Sequence, residues 1–114
     1  MQTFCLALDL KDDPDLIREY EEYHRNVWPE IIKSIFDAGI ISLQIFRAQN
    51  RLCMLIEATD EFSFEQKSRM DAGNATVQDW ETLMWKYQQA LPGVPVGTKW
   101  VLMEKIFSLP VTED

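Results

Sequence analysis

The sequence predicts an α+β domain in the order β-α-β-β-α-β, built on an antiparallel sheet with helices on one face. Three observations predict it. Residues alternate between large apolar and smaller or polar side chains at both ends of the 114-residue chain. Two apolar runs flank a short polar turn near the middle, and stripes of helical period lie on either side of that pair. The length fits one domain over residues 1–114.

The first strand is Thr3 to Leu10. Phe4, Leu6, Leu8 and Leu10 share one side, and Thr3, Cys5, Ala7 and Asp9 the other. Asp13 then caps a helix that has Pro14 at its first position, where a missing N–H costs nothing. Leu16, Ile17, Tyr20, Tyr23 and His24 form its apolar stripe, and Arg18, Glu19, Glu21, Glu22 and Arg25 its solvated face. Pro29 interrupts the pattern, so the helix pauses at Val27-Trp28 and restarts. The second piece, Glu30 to Ala38, carries Ile31, Ile32, Ile35 and Phe36 and ends at Gly39.

Ile41 to Phe46 and Leu52 to Ala58 are the central strands, joined by Ala48-Gln49-Asn50-Arg51 as a hairpin. A further helix opens at Asp60-Glu61-Phe62-Ser63 and breaks at Asp71-Ala72-Gly73-Asn74. Thr76 and Asp79 resemble a capping box for the next helix. Its stripe is Val77, Trp80, Leu83, Met84 and Tyr87. The Pro- and Gly-rich stretch Leu91 to Gly97 is a loop. Lys99 to Leu109 alternates again and reads as the closing strand. This order is the ferredoxin-like, or split βαβ, arrangement. Both sides of the closing strand carry large apolar residues, so a second copy or a ligand is expected to cover the open face of the sheet.

Composition narrows the function. Lys plus Arg is 11 and Asp plus Glu is 19, a formal charge of −8, with 46% hydrophobic and 26% charged residues. That balance is globular. With no basic run to displace counterions, the chain is not expected to bind nucleic acid or an anionic membrane. No window approaches the roughly 18 apolar residues of a membrane span. The start, MQTFCLALDLKDD, lacks the basic region of a signal peptide. The two cysteines, Cys5 and Cys53, sit in apolar runs and read as buried, reduced thiols. The chain is therefore expected in the cytoplasm.

The only histidine is His24. Tyr20 precedes it by one helical turn and Trp28 follows by one, so Tyr20 and His24 point the same way. A lone helical histidine is compatible with either a structural or a catalytic role. Trp80 falls on the apolar stripe and reads as core. Trp85 lies one position off it, which a pocket or an interface explains better. One His and two dispersed Cys make no zinc site. Gly39, Gly73, Gly93 and Gly97 form no phosphate loop, and no Ser lies in a nucleophile elbow. Any chemistry is thus expected to need no metal or cofactor and to centre on proton transfer.

Tyr20-Glu21-Glu22-Tyr23-His24 followed by Asn26-Val27-Trp28-Pro29-Glu30 resembles the L-rhamnose mutarotase family. So do Gly39, Asn50-Arg51-Leu52, Trp85-Lys86-Tyr87 and Met103-Glu104-Lys105-Ile106-Phe107. The resemblance implies a dimeric ferredoxin-like α/β barrel that interconverts the α and β anomers of a 6-deoxy-hexose without a cofactor. It implies His24 as the acid/base residue and Tyr20 and Trp85 as sugar contacts, with Trp28, Leu43 and Met84 as further pocket positions. Leu43 stands where the rhamnose enzymes carry Tyr, and Met84 where they carry the first of two adjacent Trp. In these departures the chain is more similar to a branch associated with L-fucose.

The expected mechanism has protonated His24 donating to the ring oxygen while water or a carboxylate takes the anomeric proton. Glu30 and Glu104 are candidates for that carboxylate. Two other readings use the same barrel: a cofactor-free monooxygenase or haem-degrading protein, and a small-molecule-binding module without mutarotase activity.

Overall fold

The computed structural model describes residues 1–110. Its strands are β1 (Gln2–Leu10), β2 (Ile40–Ala48), β3 (Arg51–Ala58), β4 (Gln88–Gln89) and β5 (Val101–Leu102). Its helices are α1 (Pro14–Tyr23), α2 (Pro29–Asp37), α3 (Phe64–Ala72) and α4 (Ala75–Trp85). The sheet runs β2-β3-β1, and β4 and β5 share the outer edge of β1, all antiparallel. This is the expected ferredoxin-like order, with the helical segments divided into four.

Register fixes which side chains meet the helices. Phe4 faces Ile56, Leu6 faces Met54 and Leu8 faces Leu52 across β1 and β3, and Leu43 and Ile45 extend that face onto β2. Both clusters of buried apolar residues lie on it. One gathers Leu10 and Leu52 with Tyr20, Ile31, Trp80 and Met84 from the helices. The other gathers Leu6, Ile40, Ile56, Ala58 and Phe62. Gly39 allows the chain to turn from α2 into β2. Its φ is +99°, and a Cβ there would lie 3.0 Å from Thr59 Oγ1.

The opposite face of the sheet carries Cys5, Phe46, Cys53, Val101 and Met103 and no helix among the described residues. The two thiols are free but half-buried rather than fully buried, because nothing covers them in a single chain. Their sulfurs are 2.9 Å apart.

Two local expectations are corrected. The Thr76–Asp79 box does not cap α4. Asn74 does, accepting from the N–H groups of Thr76 and Val77, because it is the extended residue directly before the helix starts at Ala75, which places Thr76 inside the first turn. The closing strand is also far shorter than residues 99–109. Only Val101 and Leu102 pair, with Ala7 and Leu6, and the Met103 N–H reaches the Cys5 carbonyl. Beyond Met103 the chain leaves the edge of β1, although Gln2–Phe4 pair only with β3 among the described residues. Ile106, Phe107 and Leu109 are left exposed.

Candidate active site

The end of α1 sets the site. Asp13 caps its start through the N–H groups of Asp15 and Leu16, with Pro14 as the first helical residue. Pro29 limits the backbone at Trp28, which is non-helical (φ −55°, ψ 133°), so α1 cannot run on into α2. The helix stops at Tyr23 and His24 becomes its C-cap. Helix ends leave carbonyls without partners. The Tyr20 carbonyl is satisfied twice by His24, by the backbone N–H at 3.3 Å and by ring Nδ1 at 2.8 Å.

That contact determines the tautomer. A carbonyl only accepts, so Nδ1 carries a hydrogen and Nε2 is left to gain or lose the second proton. The Tyr20 and His24 rings lie 4.3 Å apart, and Trp80 meets His24 edge-on at 5.7 Å. Trp28 braces Trp80 from behind at 5.0 Å. Burial lowers the His24 pKa below its usual 6.5, with the Tyr20 carbonyl working the other way. Tyr20 is deeply buried, and burial raises its phenol to about 12 against a smaller opposing effect of Gln88. The Gln88 amide donates to the phenol oxygen at 3.3 Å, which leaves the phenol's own hydrogen available.

His24 opens onto a cavity of about 530 Å³ between the helices and the sheet. Tyr20, His24, Leu43, Trp80, Met84 and Trp100 line it. The expected residues Tyr20, His24, Leu43 and Met84 are thus brought together. Trp28 supports the wall from outside. Trp85 lines a separate hollow with Lys86 and the loop after β4, and Gln88 is shared by the two. Trp80 and Trp100 are the tryptophans at the cavity, and the sequence marked neither as such.

The carboxylates differ from expectation as well. Glu30 and Glu104 are exposed and do not line the cavity. Glu30 sits in the first turn of α2, and Glu104 lies past the last paired residue. Asp71 and Glu81 line it instead, paired with Lys67 and Lys99 at 2.6 and 3.5 Å. Among the described residues no cluster of three His, Cys, Asp or Glu could hold a metal ion, and no helix is long and apolar enough to cross a membrane.

The family model for L-rhamnose mutarotase matches residues 3–109. The chain belongs to the L-rhamnose mutarotase family. A relative within reach of this family, the L-fucose mutarotase of Xanthomonas campestris pv. campestris, is 46% identical over 111 residues, covering 96% of this chain and 89% of its own length. The crystal structure of an L-rhamnose mutarotase from Formosa agariphila superposes with a TM-score of 0.70 at 21% identity, covering 96% of this chain and 99% of that one. A dimeric ferredoxin-like protein from an uncultured marine organism superposes at 0.52 with 16% identity, covering 93% and 91%. The two structures establish that the mutarotase-family chain has a ferredoxin-like fold.

Proposed function

We propose that the protein is an aldose mutarotase, an isomerase that interconverts the α and β anomers of a 6-deoxy-hexose, with L-fucose favoured over L-rhamnose. The relative that is 46% identical along nearly the whole chain is an L-fucose mutarotase, which supports the sugar class. One observation carries the chemistry: His24 lines the cavity with Nδ1 tied to the Tyr20 carbonyl.

The pyranose opens when O1 loses its proton, the C1–O5 bond breaks and O5 gains a proton. Burial holds the His24 pKa below 6.5, so the neutral ring predominates at pH 7 and the cycle starts from the base, in place of the protonated ring expected from sequence. Nε2 takes the anomeric proton as C1=O1 forms, and the imidazolium returns it to O5. Rotation about C1–C2 and the reverse steps close the other anomer, with no net proton change. The Tyr20 O–H, which stays protonated, donates to the oxygen that carries transient charge. Trp80 offers an indole to the sugar's apolar side. Trp85, a sugar contact by the family resemblance, lines the neighbouring hollow, which shares Gln88 with the cavity.

A homodimer is part of this reading. The uncovered sheet face, exposed Phe46 and the apolar tail residues Ile106, Phe107 and Leu109 support it. One structural neighbour is described as dimeric. Sedimentation at twice the chain mass is expected, and a monomer at micromolar concentration removes the dimer. The free thiols Cys5 and Cys53 fit a reducing compartment such as the cytoplasm.

Magnetisation transfer between the anomeric protons of a panel of 6-deoxy-hexoses tests the activity. Exchange faster than in buffer is expected, most of all for L-fucose. Sugar binding without faster exchange would make the protein a binding module.

A further inference from the structure

Helix α3 turns a charged stripe inward. Phe64, Lys67, Ser68 and Asp71 follow helical spacing and all line the His24 cavity, yet α3 contributes no fully buried residue. A helix laid over a sheet ordinarily puts apolar residues there. Lys67 Nζ lies 2.6 Å from Asp71 Oδ2, with side chains only 23% and 13% exposed. The pair Lys33–Asp37 has the same spacing and separation on α2 but keeps 75% and 49% exposure, an ordinary solvated bridge. Removing two charges from water tends to cost as much as their attraction returns, so the inward pair is a poor way merely to close the cavity. Opposite it, Leu43, Ile45 and Met54 make an apolar floor. The cavity therefore has one apolar side and one side with a fixed anion and cation.

We propose that Lys67 and Asp71 are specificity-determining residues that hold the sugar's hydroxyl groups. The Asp71 carboxylate accepts from one hydroxyl and the Lys67 ammonium donates to its neighbour, while the deoxy carbon lies on the apolar side. This rests on the mutarotase reading and names the groups that choose among its substrates. L-fucose and L-rhamnose share ring and methyl group and differ in configuration at C2 and C4. A donor and an acceptor fixed 2.6 Å apart read that difference, because a misdirected hydroxyl leaves one charge without a partner.

The test uses Asp71→Asn, which keeps the shape of the side chain, and Lys67→Met. Binding of L-fucose and L-rhamnose is titrated by NMR, and kcat and KM are taken from anomer exchange. Each variant is expected to raise Kd and KM for the favoured sugar roughly ten- to hundred-fold, the size of a lost charged hydrogen bond. The kcat should stay within about three-fold, and the preference between the two sugars should collapse. Folded variants that keep both KM and preference overturn the proposal, as does a fall in kcat at unchanged KM. If the wild type binds the sugars without exchanging anomers, the mutarotase reading fails and the Kd comparison still decides the role of this pair. If it binds neither sugar, both fall.

Discussion

The imidazole Nδ1 of His24 lies 2.8 Å from the carbonyl oxygen of Tyr20, one helical turn earlier. The helix end thereby selects the Nδ1–H tautomer and leaves Nε2 as the proton-exchanging atom. Nitrogen NMR of the single histidine at pH 7.5 is expected to find Nδ1 protonated and Nε2 bare. The opposite tautomer would mean that the helix end does not orient the ring.

Burial lowers the His24 pKa, and the sign of its effect on stability follows. The unfolded histidine titrates near 6.5, and the folded one below that. Between the two values the unfolded state binds more protons, so stability present above pH 6.5 is lost as pH falls through this window. Thermal melts from pH 7.5 to 5 should fall more steeply for wild type than for His24→Asn. In parallel, the acid limb of kcat/KM should lie below pH 6.5. Parallel melting curves would show that the ring is not desolvated.

Tyr20→Phe keeps the ring against His24 and removes only the hydroxyl. The buried Gln88 amide then loses its acceptor, a change expected to cost about 1–3 kcal/mol. Anomer exchange should slow roughly ten- to hundred-fold, the size of one lost hydrogen bond to a charged group. Because burial holds the phenol near 12, wild-type activity should show no loss from Tyr20 ionisation up to pH 10. Urea unfolding and the pH–rate profile check both statements.

The tryptophans separate by site. Trp80 is 8% exposed and packs against His24, Trp28 and Tyr23, so Trp80→Ala should cost about 3–5 kcal/mol and most of the sugar affinity. Trp85 is half-buried in the other hollow, with Lys99 Nζ 5.9 Å from its ring centre. Trp85→Ala should cost less on both counts. Thermal melts and sugar titrations of the pair are the check, and equal losses would contradict the cavity assignment.

These tryptophans also mark where sequence reading stops. Helical spacing tells which side of α4 a ring occupies, and on that ground Trp80 reads as core and Trp85 as pocket or interface. It does not tell where the layer beneath is hollow, and the void lies under Trp80. The Tyr20–His24 pair was legible because both ends of its helix are punctuated locally, by Asp13-Pro14 and by Pro29. The closing strand was legible as alternation but not in extent: β4 takes the edge of β1 at Asp9 and Leu10, opposite Lys99, and past Met103 the chain leaves that edge, neither of which alternation reveals. Lys67 and Asp71 escaped notice because charged residues four apart usually mark a solvated face. Only burial distinguishes them from Lys33 and Asp37.

His24→Asn tests the central claim most directly. Its amide can replace Nδ1 at the Tyr20 carbonyl, but it has no counterpart of Nε2. Magnetisation transfer between the two anomeric protons of L-fucose should run fast with wild type and fall on the order of 100- to 10,000-fold with the variant, to the rate in buffer, while its circular dichroism spectrum is unchanged. Exchange by the folded variant at the wild-type rate would contradict the account.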